Sequence, residues 1–324
     1  MATRHLFTLV CAWSPLLFGC SGASAPPPAS PPAAKEAAVS TSSAPAVAAA
    51  TDPASTAPSE SWWTASAPCA PGSELKGAAP PTGKAIWCEK DGKPHGPKTT
   101  FFASGQREST RTYYQGKQHG RFTVWHETGT VAEEGQYRHD ALEGKHVTYY
   151  KSGAKQLEGE YRSGKETGVF KKLTESGERT EELPYRAGAL HGTVKAFHPN
   201  GKLKEETEYA SGVKQGPART YYADGQKRTS GMYASDKQVG VWRSWRENGT
   251  TLEERHYVDG IKEGPTTRWQ AGGAKEFDGA YKADQKDGAF NYYDEEAELT
   301  KTEQYKNGRL VSTKKFPKKP KAKP

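Results

Sequence analysis

Residues 144–167 read GKHVTYYKSGAKQLEGEYRSGKET. A glycine opens the stretch, an aromatic follows at Tyr149, Ser152-Gly153 sits mid-way, and Tyr161 and Gly164 fall near its end. Every 24 residues the opening glycine returns, as Gly96, Gly120, Gly144, Gly168, Gly192, Gly216, Gly240, Gly264 and Gly288. A tyrosine returns with it, as Tyr113, Tyr137, Tyr161, Tyr185, Tyr209, Tyr233, Tyr257, Tyr281 and Tyr305. Nine cycles without a slip are an internal repeat, and a unit this short must bury its apolar face on its neighbours. Composition agrees. Hydrophobic residues make up 34% of the 324 and mean hydropathy is −0.89, too little for a thick closed core, yet glycine and tyrosine recur in phase, which a disordered chain would not require.

With the opening glycine as position one, position ten is glycine in eight repeats, from Gly105 to Gly273. Asn200-Gly201, Asp224-Gly225 and Asn248-Gly249 predict a two-residue type I′ turn there, since both residue types tolerate positive φ. Position 21 is only glycine or aspartate and predicts a second turn. Two turns leave two strands of about six to eight residues. The fold class is therefore all-β, an elongated antiparallel β-meander of nine 24-residue β-hairpin repeats over residues 96–313.

Position six holds Phe101, Trp125, Tyr149, Leu173, Phe197, Tyr221, Trp245, Trp269 and Tyr293 on the first strand of each hairpin. The spacing predicts that these side chains interleave with the repeat tyrosines into one stripe. Position three is often apolar too (Phe122, Phe170, Val194, Trp242, Phe290). Three and six differ by an odd number, so either both faces are partly covered or a bulge intervenes. Glu134, Glu158, Glu182, Glu206, Glu254 and Asp278 keep phase, Lys155, Arg179, Lys227 and Lys275 keep phase three positions earlier in the repeat, and together they read as a solvated, charge-mixed face.

The flanks differ in kind. In residues 1–19, Arg4 precedes an apolar run from Leu6 to Phe18 that is too short to span a bilayer and reads as a signal peptide. Leu17-Phe18-Gly19-Cys20 resembles the bacterial lipoprotein box. The resemblance implies cleavage before Cys20, lipidation of its sulfur, and stable anchoring by several acyl chains; Ser21 by the same resemblance implies the outer membrane. The alternative is a secreted protein that discards Cys20 with its signal. Residues 20–60 are an Ala/Pro/Ser-rich disordered linker. Residues 61–95, out of phase with the repeats, read as an N-terminal cap. Cys69 and Cys88 are the cysteines remaining in the exported chain and imply a disulfide. Without C-x-x-C spacing they make at most half a zinc site. Residues 314–324 read as a basic disordered tail. The net charge of +8 owes most to that tail and leaves the body nearly balanced, which weighs against nucleic acid as a partner.

The unit G-x-[aromatic]-x-x-[aromatic]-x-x-x-G…Y-x-x-G-x-x-x-G, as in Tyr161-x-x-Gly164-x-x-x-Gly168 and Tyr209-x-x-Gly212-x-x-x-Gly216, resembles the MORN repeat in its bacterial variant form. Ala297 departs from it, replacing the turn glycine of the ninth repeat. The resemblance implies scaffolding or membrane attachment, or an antitoxin role in some bacterial members, and carries over no catalytic residue. Paired aromatics such as Tyr149-Tyr150 also resemble choline- or glucan-binding cell-wall repeats, whose unit is shorter. The sequence lacks H-E-x-x-H, G-x-S-x-G and P-loop motifs. His95, His119 and His191 each precede an opening glycine and read as turn residues. The expectation is a non-enzymatic protein without metal or cofactor, held to the cell envelope by its lipid. It binds a protein partner or, alternatively, cell-wall polysaccharide, or serves as an envelope antitoxin.

Overall fold

The computed structural model describes residues 69–317. The signal peptide, Cys20, the linker, the start of the cap and the end of the basic tail lie outside the described residues. Among the described residues there are 23 strands and no helix. Sequence neighbours pair antiparallel, except that Ala141–Leu142 with Gly144–Tyr149 and Ala189–Leu190 with Gly192–Phe197 are each two segments of one broken strand, so the strands form one open meander.

The two turns of each repeat are the reverse of what the dipeptides suggest. The two-residue type I′ loop sits at positions 20 and 21, where both residues have positive φ, as at Gln115 (51°) with Gly116 (85°) and at Ser235 (48°) with Asp236 (66°). At position ten the loop has three residues. In Phe102–Gln106, the Gly105 N–H donates to the Phe102 carbonyl (3.0 Å) and the Phe102 N–H to the Gln106 carbonyl (2.9 Å). Gly105 alone is left-handed, which corresponds to a turn with a G1 bulge. Asparagine and aspartate are favoured before that glycine for another reason. Asn200, Asp224 and Asn248 accept through Oδ1 from the N–H two residues on (3.1, 2.8 and 3.1 Å), as in an Asx turn. Ala297 is held at φ 62° in the glycine's place.

Seven of the opening glycines lie inside strands, and Gly144 and Gly192 begin one. All nine have positive φ, from 66° at Gly240 to 120° at Gly216, and each sits where the ladder slips against the preceding strand. Hydrogen bonds then tie hairpin to hairpin at both ends. At the type I′ end, the N–H of position 21 donates two strands back, as from Gly164 to the Leu142 carbonyl (2.8 Å). Where position 21 is aspartate, its carboxylate also accepts from that earlier strand, as Asp140 does from Gln118 N–H (2.7 Å) and Asp236 from Lys214 N–H (2.8 Å). This explains why only glycine and aspartate occur there. At the other end, polar side chains at position seven reach the next hairpin: Tyr150 Oη donates to the Leu173 carbonyl (2.9 Å) and Tyr222 Oη to the Trp245 carbonyl (2.8 Å).

The expected single stripe is not formed. Positions three and six face opposite sides of the sheet: Arg219 at position four and Tyr221 at position six both reach Glu206, while Phe170 at position three meets Tyr161. The register shift beside position six, where Thr148 pairs Leu157 and Tyr149 pairs Lys155, puts its extra residue on the partner strand and leaves that alternation intact. The repeat tyrosines interleave with position three. Tyr161 lies between His146 and Phe170, 5.4 Å from each ring, and Phe290 lies between Tyr281 (5.6 Å) and Tyr305 (5.5 Å), mostly edge-to-face. Phe122, Phe170 and Phe290 are buried on this tyrosine face, while Tyr149 and the other position-six residues lie on the opposite one.

Room for the rings comes from position 16. A Cβ on Gly231 would stand 2.1 Å from the Trp242 ring; on Gly159, 2.4 Å from Phe170; on Gly279, 2.7 Å from Phe290. Where position 16 carries a side chain, the partner eleven residues on is small: Leu183 with Val194, Thr207 with Ala218, Arg255 with Thr266. Arg111 beside Phe122 is the exception. Its guanidinium turns to Ser109 Oγ (2.5 Å), and Phe122 leans over Gly135 instead.

Both ends of the array continue the sheet. Strand Ala85–Lys90 and the Asp91-Gly92 type I′ turn keep the repeat phase, so the second half of the expected cap is a truncated repeat. The short strand Glu74–Ala78 covers it, and the Cys69–Cys88 disulfide (Cα–Cα 5.5 Å) packs with Ile86 and Phe101 beneath. At the far end Lys314 and Lys315 belong to strand Arg309–Lys315 and not to a tail. Every residue of that edge strand is exposed, and its cations discourage further strand addition. Beside it, Glu303 accepts from Lys301 Nζ and from Tyr305 Oη (2.8 Å each). The Lys301 ammonium, then the Tyr305 hydroxyl, hold its carboxyl down at about 2, from 4.5. A depressed folded pKa favours the ionised form, so this contribution is complete above the ordinary carboxyl range and is lost as pH falls from 4.5 towards 2. Amide exchange in Leu299–Lys315 is expected to accelerate over that window, and Glu303→Gln to abolish the pH dependence. An unchanged acid profile in the variant would assign the loss to another group.

Candidate interaction face

The face opposite the tyrosines is built from positions two, four and six of one strand and 15 and 17 of the next, joined by position 12 across the register shift at position 13, where Val124 pairs Glu133 and Trp125 pairs Val131. Position six forms its aromatic row, half-buried from Trp125 to Tyr293, with Phe101 buried at the start. Cations at position 12 lie over these rings: Arg107 over Trp125 (4.7 Å), Arg179 over Phe197 (5.1 Å) and Lys275 over Tyr293 (5.9 Å).

The acidic row runs beside the aromatics and is matched almost group for group. Glu206 accepts from Arg219 Nη1 and Tyr221 Oη, both at 2.8 Å. Burial alone would raise its carboxyl, but those two donors outweigh it and the pKa falls. Glu254 takes Arg243 (2.6 Å), Glu158 takes Lys155 (3.0 Å), and Glu182 takes Arg179. Where position four is not cationic the tyrosine substitutes: Tyr149 Oη donates to Glu134 (2.5 Å). Burial and that carboxylate push the Tyr149 hydroxyl up to about 12, and Asp278, with burial second, does the same for Tyr293, so both are donors across the physiological range. Exposed ion pairs like these contribute little stability, roughly 0–1 kcal/mol each. Their effect is to order the surface into aromatic, acidic and basic rows.

Of the residues singled out in the sequence, Cys69 and Cys88 are bonded to each other, the nine repeat tyrosines line the opposite face, and Cys20 lies outside the described residues. His95 Nδ1 accepts from the Gln115 N–H of the next type I′ turn at 3.5 Å, the same service that Glu143 gives Ser163 (2.7 Å) and Glu263 gives Ala283 (2.8 Å). Among the described residues no group of His, Cys, Asp or Glu has a metal-binding arrangement. The position-16 glycines and the position-seven reach escape a reading by composition, though both leave a periodic trace.

Comparison with known families bears on this repeat. Residues 118–139, 190–210 and 238–259 match the MORN repeat variant. Three segments of this chain are thus similar to the MORN repeat variant. Each matched segment begins just after one type I′ turn and ends at or just before the next, so the matched unit is the strand pair between successive type I′ turns. MORN-variant repeats suit a repeat-based binding module. A comparison with curated proteins returned no match. Among solved structures, the crystal structure of TcdB2-TccC3 is 11% identical with a TM-score of 0.19 over 71% of this chain. The same assembly without its hypervariable C-terminal region is 12% identical with a TM-score of 0.18 over 72%. This chain spans only 16% of the length of each, and superpositions that loose carry no argument.

Proposed function

We propose that this protein is a non-enzymatic scaffolding module that presents the charged face of its MORN-variant sheet to an extended protein partner. The observation that carries the reading is the ordering of that face. Aromatic, acidic and basic rows run from hairpin to hairpin, so a partner strand or helix laid along them meets the same contacts repeatedly. Half-buried tryptophans such as Trp245 and Trp269 offer the large amphipathic surface from which binding hot spots are built. We place the module at the cell envelope, anchored through Cys20 and lifted from the membrane by the residue 20–60 linker, on the strength of the sequence around Cys20.

A photo-crosslinking residue at Trp245 or Trp269 of the full chain should give a discrete protein adduct in intact cells, whereas one at the turn residue Ala187 should not. Equal adducts from all three sites, or none, would remove the assignment of the face. Membrane fractionation tests the anchor: Cys20→Ser is expected to move the protein to the soluble fraction, and a variant that stays membrane-bound would rule the lipid out.

A further inference from the structure

Position four lacks a cation in the first three and last two repeats, and only in repeats two and three does a cation stand at position two instead. In repeats two and three, position four is Thr123 and Val147 where the following four repeats carry Lys171, Lys195, Arg219 and Arg243. Position two is Arg121 and Lys145, whereas the remaining repeats carry proline, valine, threonine or alanine there. Short side chains in the middle and long cations beside them leave a hollow of about 640 Å³ on the charged face. Trp125 forms an apolar wall, and Thr123, Gln136 and Glu134 also line the hollow.

The charge there is not matched as it is elsewhere. Arg121 is exposed and has no carboxylate partner among the described residues. Lys145 stands 4.0 Å from Glu158, a carboxylate already shared with Lys155 (3.0 Å) and Lys171 (3.9 Å). Glu134 is the acid of the hollow, and one of its oxygens is taken by Tyr149. Arg107 also lines the hollow, lying over the Trp125 ring. A ligand suited to this site carries a carboxylate for Arg121 and Lys145, because a guanidinium can bind it with two parallel hydrogen bonds. It also carries hydroxyls that donate to Glu134 and accept from Thr123 and Gln136. Finally it has a flat C–H surface for the indole, whose face is electron-rich. Glu134 repels any anion, and a doubly charged phosphate more strongly than a single carboxylate, so the carboxylate is the better fit.

We infer that this hollow is a binding site for an acidic sugar, a hexose ring bearing a carboxylate within a short saccharide. The volume lies within the usual 300–1,000 Å³ range of small-molecule sites. The site goes beyond the protein-partner reading and stands separately from it, because Arg121 and Lys145 lie far along the chain from Trp245 and Trp269.

Titration calorimetry of the full chain with trigalacturonate, maltotriose and a triglutamate peptide tests it. Trigalacturonate is expected to bind, and maltotriose, which lacks the carboxylates, to bind on the order of tenfold more weakly or not at all. Arg121→Gln with Lys145→Gln should weaken trigalacturonate on the order of tenfold. Both side chains are exposed, so the fold is kept, and Arg243→Gln, on the same face but outside the hollow, should leave binding unchanged. Absence of trigalacturonate binding, equal binding of maltotriose, or equal weakening by Arg243→Gln would overturn the inference. Triglutamate binding as tightly with the same sensitivity to Arg121 and Lys145 would overturn the sugar in favour of an acidic peptide.

Discussion

Gly231→Thr is expected to destabilise the sheet by about 2 kcal/mol, even though threonine is the better strand former. The β-propensity gain is at most about 1 kcal/mol. Against it stands a Cβ that would lie 2.1 Å from the Trp242 ring, closer than any carbon packs. Either the indole leaves its place between Tyr233 (5.1 Å) and Tyr257 (6.5 Å), or the strands separate. Trp242→Ala alone should cost about 2–4 kcal/mol, at or below the usual value for a buried aromatic because the ring is half-buried. The double variant recreates a pair the sheet already contains, Thr207 with Ala218, both nearly fully buried at 3% and 6% exposure. It should therefore lose less than the sum of the two singles, by about 1–2 kcal/mol. Amide exchange over Lys227–Val258 measures all three. Strict additivity would show that the glycine and the ring are not a packing unit.

Removing the disulfide should have a different signature. Cys69→Ala with Cys88→Ala is expected to cost about 3 kcal/mol by the loop-entropy argument for a separation of 19 residues. In a repeat array each hairpin is stabilised mainly by its neighbours, so the loss should stay local. Exchange should rise in Glu74–Phe101 and remain near wild type beyond about the second repeat. Once Glu74–Ala78 detaches, strand Ala85–Lys90 becomes an unprotected edge, and concentration-dependent association should follow. Uniform acceleration across all hairpins would mean that the sheet unfolds as one unit and that the cap governs it.

The period and the strand pair of each repeat are legible because Gly144, Tyr161 and Gly164 punish any change of phase, whereas strands Glu74–Ala78, Ala85–Lys90 and Arg309–Lys315 lie where that beat is incomplete. The turn types are not legible. Asn200-Gly201 can satisfy two geometries, a positive-φ pair or an Asx turn before a bulge glycine, and the dipeptide is the same in both. Loop length decided between them, and loop length depends on where the strands stop pairing. The stripe was misjudged for a related reason. Position three and position six were known to have opposite parity, but which of them meets the tyrosine depends on the slip at the opening glycine, a long-range feature of the ladder. Position 16 was readable in principle, since Gly135, Gly159, Gly231 and Gly279 each precede an aromatic ring by eleven residues. The acidic row was read as a solvated mixed-charge face, and the structure adds its partners, Arg219 and Tyr221 for Glu206 among them. The hollow at Arg121 and Lys145 appears in the sequence only as two cations that interrupt a row of small residues.

The size match between position 16 and position three also sets where the array can change length. Deleting residues 136–159 removes one period and brings Gly135 beside Phe170, a glycine still facing a ring, so the new joint closes. Deleting residues 208–231 brings Thr207 beside Trp242, and the new joint does not. Repeats that look interchangeable by their glycines and tyrosines are thus keyed in order, and gain or loss of a hairpin is tolerated at some seams and barred at others.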